Sequence, residues 1–152
     1  MKNLSIFFAF LVCLFIISCS GGRDTKVEQQ EISEEEQAEQ ALLDETLEIH
    51  DDVMPKHHYL LKLKKNLQHR ADSLTNLETE NAEKVDELKA LMVDLEDAYQ
   101  GMSDWMHDFE RANEGMSHED IMDYYQHEKE KIQSVREKML SAISNAEHAL
   151  SE

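Results

Sequence analysis

Cysteine, proline and glycine are all scarce in this chain, and each scarcity excludes something. The only cysteines are Cys13 and Cys19, both near the N-terminus, so the rest of the sequence contains neither a disulfide nor a thiolate zinc site. Four glycines leave no phosphate-cradling loop and no dinucleotide fingerprint. One proline, Pro55, is the only strong breaker of helix. Positive charge is scarce too: 15 basic residues stand against 33 acidic ones, a net charge of −18. Phosphate backbones repel such a chain, so nucleic acid is not an expected partner.

Long apolar runs are confined to one place. Leu4 to Ile17 follow the single basic residue Lys2 and are too few to span a bilayer, which takes about 20 apolar residues as a helix. A basic residue and a short apolar stretch have the form of a secretory signal. Ile16-Ile17-Ser18-Cys19 is similar to a lipobox, in which a small residue precedes the cysteine that receives diacylglycerol. The expectation is a signal peptide over 1–18, cleaved to leave an acylated (palmitate-bearing) Cys19. An ordinary signal with an incidental cysteine, or a short anchor, is the alternative. Two or three acyl chains, at about 0.8 kcal/mol per buried methylene, hold far more firmly than one.

Residues 19–40 are rich in Glu and Gln and offer only Val27 and Ile32 as sizeable apolar groups. They read as an acidic, flexible or fraying-helical tether. From Ala41 to Glu152 the period is helical. Val53, Leu60, Leu67 and Leu74 recur every seven residues, broadened by Leu61, Leu63 and Ala71. Leu88, Leu95, Met102 and Phe109 repeat that spacing, with Leu91, Ala98 and Trp105 between them. Ile121, Tyr125, Ile132, Val135, Met139, Ala142 and Ala146 make a third stripe. The expected fold is all-α: an antiparallel three-helix bundle with long amphipathic helices, the first kinked or divided near Pro55. Asn81 is the expected cap of the second helix and Ser117 of the third, after a loop from Arg111 to Met116.

No nucleophile elbow, His-Glu-x-x-His or Cys-x-x-Cys-His motif occurs, and the nearest approach to a di-iron Glu-x-x-His pair is Asp104-x-x-His107. The expected role is therefore non-enzymatic. The short basic cluster Lys56, Lys62, Lys64, Lys65 and Arg70 reads as ion-pair partners of neighbouring acidic helices, or else as a contact for anionic lipid head groups or cell-wall material.

Methionine and histidine offer a second functional reading. With turns centred near residues 80 and 114, Met54, Met106 and Met122 share a level. His50 and His118 beside Glu110 lie one turn outward, and His57, Met102 and His127 one turn inward. Thioether and imidazole groups suit Cu(I), which makes a soft-metal site the sharper expectation. Core packing around Trp105 and Phe109 is the plainer one.

The run His50-Asp51-Asp52-Val53-Met54-Pro55-Lys56, then Leu60 to Leu67, Trp105 to Phe109 and Tyr125 to Met139, resembles a group of uncharacterised bacterial envelope lipoproteins with a helical-bundle domain, sometimes labelled viral A-type inclusion protein-like. The resemblance covers about residues 47–150. It implies an envelope lipoprotein and carries no activity over to particular residues. Ser20 after the lipidated cysteine resembles outer-membrane sorting, and Gly21-Gly22 is not the acidic run of surface export, so the expected location is the outer membrane, facing the periplasm. Its expected partners are the membrane through the lipid, an envelope protein and possible further copies of itself.

Overall fold

The capping of the first helix explains where the folded unit begins. In a computed structural model that describes residues 32–75, 81–113 and 115–152, the Glu36 amide donates to Ser33 Oγ at 3.1 Å and the Ser33 amide donates to Glu36 Oε2 at 2.9 Å. This reciprocal pair satisfies two amides that a helix start leaves open. Glu34, Glu35 and Glu36 fill the first turn, where negative charge is favoured by the helix dipole. Helix α1 therefore runs Glu34–Val53, and the compact unit is Ile32–Glu152. The helix thus begins before Ala41: from Glu34 on, the acidic run read as a flexible or fraying-helical tether is the capped start of α1. The signal peptide, Cys19 and the first part of the tether lie outside the described residues.

Pro55 has no amide hydrogen to continue the α-helical ladder. The last α-type bond of α1 runs from the Met54 amide to the His50 carbonyl, Met54–Lys56 form a 3-10 turn, and α2 follows as His57–Thr75. Helix α3 spans Ala82–Asp108 and α4 His118–Ser151. All elements among the described residues are helical, and none of these helices is long and apolar enough to cross a membrane.

The caps of the later helices divide. Ser117 accepts from the Asp120 amide at 3.2 Å, so α4 starts where its sequence predicts. Asn81 precedes α3, but its side chain makes no capping bond. The connection into α4 is longer than expected. Phe109 is extended, with its amide still on the Trp105 carbonyl, and the segment beyond is tied to α4. The Tyr124 hydroxyl donates to the Glu110 carbonyl at 2.7 Å, and the Ala112 amide donates to the Tyr125 hydroxyl at 3.0 Å.

The core is the set of stripes. Val53, Leu60, Leu67, Leu88, Leu95, Met102, Ile132 and Met139 are all completely buried. Burying such a side chain contributes about 1.5–3 kcal/mol, which outweighs any single polar contact at the surface. Leu61 departs from expectation: one residue off the Leu60–Leu67 seam, it is 38% exposed.

Cross-helix contacts give the directions. Along α1, α2 and α4 the numbers rise together: Glu39 with His118, Glu45 with Lys129, Asp52 with Arg136, Tyr59 with Glu147. Against α3 they run oppositely: His57 with Tyr99 and Lys64 with Glu96 from α2, Lys84 with Glu152 from α4.

Candidate functional site

The register of those contacts decides what the methionines and histidines do. The Lys84–Glu152 pair, and Val135 lying 3.9 Å from where a Cβ on Gly101 would stand, put Met106 level with about residue 130 of α4. Met122 is then about 8 residues, or roughly 12 Å, further along. The expected turn centre near 114 is displaced because α3 ends at Asp108 and the segment after it, tied by Glu110 to Tyr124 and by Ala112 to Tyr125, lets α4 start beyond the end of α3.

The predicted set therefore separates. His118 is beside α1, its Nδ1 2.7 Å from Glu39 Oε1, and Met122 lies one turn further along the same half of α4. His50, Met54, His57, Met102 and Met106 remain around the α1–α2 junction and the end of α3, and most have other partners. The His50 Nδ1 bonds Asp51 at 2.8 Å, and its ring stacks on Trp105 with centroids 5.4 Å apart. Phe109 stacks on Trp105 at 4.7 Å. His57 is buried; its Nε2 donates to the Tyr99 carbonyl at 3.0 Å, and its ring lies parallel to Tyr99 at 4.0 Å. That bond keeps a hydrogen on Nε2 and commits the nitrogen to the protein. Met102 is wholly buried, Met54 packs against the core, and Met106 is exposed. Among the described residues no three His, Cys, Asp or Glu side chains converge as metal ligands. His127, on the outer face of α4, bonds the Asp123 carbonyl at 2.7 Å.

The basic cluster separates along another line. No acidic residue occurs from Val53 to Ala71, so α2 is the one cationic stretch in an anionic chain. Lys64 makes the expected ion pair, to Glu96 at 2.6 Å. Lys56 donates to the Asp52 carbonyl at 2.9 Å. Lys62 lies over the Tyr59 ring at 6.0 Å, and neither it nor Lys65 has an ion-pair partner among the described residues. Arg70 Nε is buried with no hydrogen-bond partner there. The ion-pairing expectation thus holds for Lys64, while His58, Lys62, Lys65 and His69, spaced four, three and four apart, share one exposed face of α2.

A net negative groove lies between α3 and α4. Its volume is about 460 Å³, and it is lined by Asp94, Asp97 and Ala98 on one side and Glu137, Lys138, Ser141, Ala142 and Asn145 on the other. Asp94 and Asp97 are exposed and have no ion-pair partner among the described residues.

Three buried polar groups escaped the sequence reading. Thr46 is completely buried, and its hydroxyl donates to the Leu42 carbonyl at 2.8 Å. Glu128 is only 4% exposed and accepts from Lys131 at 2.6 Å. Its signal was present in its spacing, since it falls between Tyr125 and Ile132 on the α4 stripe. The Trp105 indole N–H is buried without a partner among the described residues, which no spacing reveals. Comparison of the chain with protein-family models, curated proteins and solved structures finds no match.

Proposed function

We propose that this chain is a bacterial envelope lipoprotein of the group it resembles: acylated at Cys19, carried by the outer membrane on its periplasmic side, and serving a non-enzymatic structural or protein-interaction role. Its working part is an antiparallel three-helix bundle whose first helix is divided at Pro55. The observation that carries the reading is the order of segments. An apolar run, Leu4 to Ile17, ends in Ser18-Cys19, and a capped, strongly acidic helical unit begins only at Ile32. Attachment and folding thereby fall in separate parts of the chain. A helical unit whose outer faces are charged, with one basic strip and one acidic groove, offers surfaces for recognition in place of a reaction centre.

The test is substitution of the acylation site. Cys19→Ser is expected to abolish incorporation of a fatty-acid probe and to move the protein from the membrane to the soluble fraction, with helical content unchanged. A variant that still takes up label, or stays in the membrane pellet, overturns the reading. The soft-metal reading has less support, because Met122 and His118 are displaced from Met54 and Met106. Anaerobic Cu(I) competition against a weak chelator decides it, and saturable uptake weakened by Met54→Leu with Met106→Leu is the outcome that revives it.

A further inference from the structure

We propose that the exposed face of α2 docks into the α3–α4 groove of a second copy of this chain, giving a head-to-tail association. The two surfaces are complementary in charge. On α2, Lys62 and Lys65 project from a stretch free of acidic residues and have no ion-pair partner among the described residues. In the groove, Asp94, Asp97 and Glu137 outnumber the one cation, Lys138, around a floor that includes the small side chains Ala98 and Ala142.

They are comparable in scale as well. Leu61, 38% exposed and directly before Lys62, is an apolar knob beside the cationic strip, and the groove of about 460 Å³ has room for such a side chain. The strip from His58 to His69 is about 16 Å long. The α4 wall of the groove, from Glu137 to Asn145, is about 12 Å, at 1.5 Å per residue.

Within one molecule the two surfaces never meet. The seam between α2 and α3 is already closed by Lys64–Glu96 and His57–Tyr99. Lys62 and Lys65 point away from it, and the groove opens on the side of α3 that faces α4. A second copy satisfies both. An anionic membrane would pair with the strip alone and leave the groove unfilled; the net charge of −18 opposes a membrane and a second copy alike, so the paired strip and groove must outweigh it. Because the joined surfaces differ, each added copy leaves one strip and one groove unfilled, and the contact propagates as a row. Rim ion pairs of this kind are individually weak, so the association is a concentration-dependent one.

Sedimentation equilibrium on the chain from Ser20 onward, which contains the whole compact unit, tests this without any contribution from lipid. The weight-average mass is expected to rise with protein concentration to roughly twice the monomer value or more. Lys62→Glu with Lys65→Glu gives a molecule with two acidic faces, and Asp94→Lys with Asp97→Lys one with two basic faces. Each is expected to stay monomeric alone, and an equimolar mixture to associate again. All four positions are exposed, and circular dichroism confirms that the variants remain folded. A wild-type chain that is monomeric at every concentration, a variant that associates undiminished, or a mixture that fails to recover overturns the proposal. So does a monomeric wild-type chain that binds phosphatidylglycerol vesicles through Lys62 and Lys65, for then the strip is a membrane face.

Discussion

At the scale of single residues, the informative positions are those where chemistry and place disagree. Glu128 holds a carboxylate on the core stripe of α4, 4% exposed, while its partner Lys131 is mostly in water. A buried charge gains little from a solvated partner and gives up its own hydration. Glu128→Met is therefore expected to leave the melting temperature unchanged or raise it. Lys131→Ala should lower it, because that change strips the buried carboxylate of its one hydrogen-bond donor among the described residues. Thermal melts followed by circular dichroism compare the two, and a loss of more than about 2 kcal/mol in Glu128→Met would assign the carboxylate a structural role. The converse substitution belongs to the same logic. Leu67→Asp or Leu95→Asp puts an unpaired carboxylate at a fully buried site, which costs several kcal/mol and is comparable with the whole stability of a domain this size. Either variant is expected to be unfolded at room temperature, and a native far-ultraviolet spectrum with a cooperative melt would refute that.

At the scale of elements, the helix ends carry the predictions. Ser33→Ala removes the cap of α1 and should cost about 1 kcal/mol locally, seen as faster amide exchange at Glu36 and Gln37 with exchange in α2 unaltered. The far end of the molecule is tied by Lys84 and Glu152. The hydrogen bond from Lys84 holds the Glu152 carboxyl below its ordinary value, and the hydrogen bond to Glu152 raises the Lys84 ammonium above its own. A lowered carboxyl contributes stability above its unfolded pKa and loses it as pH falls through the folded one. A raised ammonium contributes below its unfolded pKa and loses it as pH rises through the folded one. The last turn of α4 is thus expected to be held at neutral pH. It should fray first in acid below about pH 4.5, the ordinary Glu152 value, and again in alkali above the ordinary Lys84 value of 10.5. Exchange at Ala149 and Leu150 across that range, with Lys84→Met removing the acid-side change, is the measurement.

The elements also show how far periodicity reaches. Leu60, Leu67, Leu88, Leu95 and Ile132 were legible as core because burial on a helix leaves a 3.5-residue trace. The start of α1 at Glu34 was not legible as part of the domain, because a first turn needs caps and charge and no apolar group. The separation of Met122 from Met106 was hidden too. It depends on the path of residues 109–113 across Tyr124 and Tyr125, a contact between a loop backbone and two hydroxyls that leaves no pattern in either segment.

At the scale of the whole molecule, charge is the dominant unspent term. With 33 acidic residues against 15 basic ones, most carboxylates have no cation to face, and their mutual repulsion opposes the compact state. Cross-helix pairs such as Lys64–Glu96, Lys84–Glu152, Lys129–Glu45 and Arg136–Asp52 act the other way, but all are partly solvated and exposed pairs of this kind contribute little. Salt screens both kinds of interaction, and its net effect reveals which is larger. Raising ionic strength from about 0.01 M to about 1 M shortens the screening length from roughly 30 Å to roughly 3 Å. The distributed repulsion acts over the longer distances and is lost first; pairs in direct contact persist longest. The melting temperature at pH 7 is therefore expected to rise with sodium chloride, steeply at low salt and then level off. A steady fall over the same range would mean that the few ion pairs outweigh the surplus of negative charge.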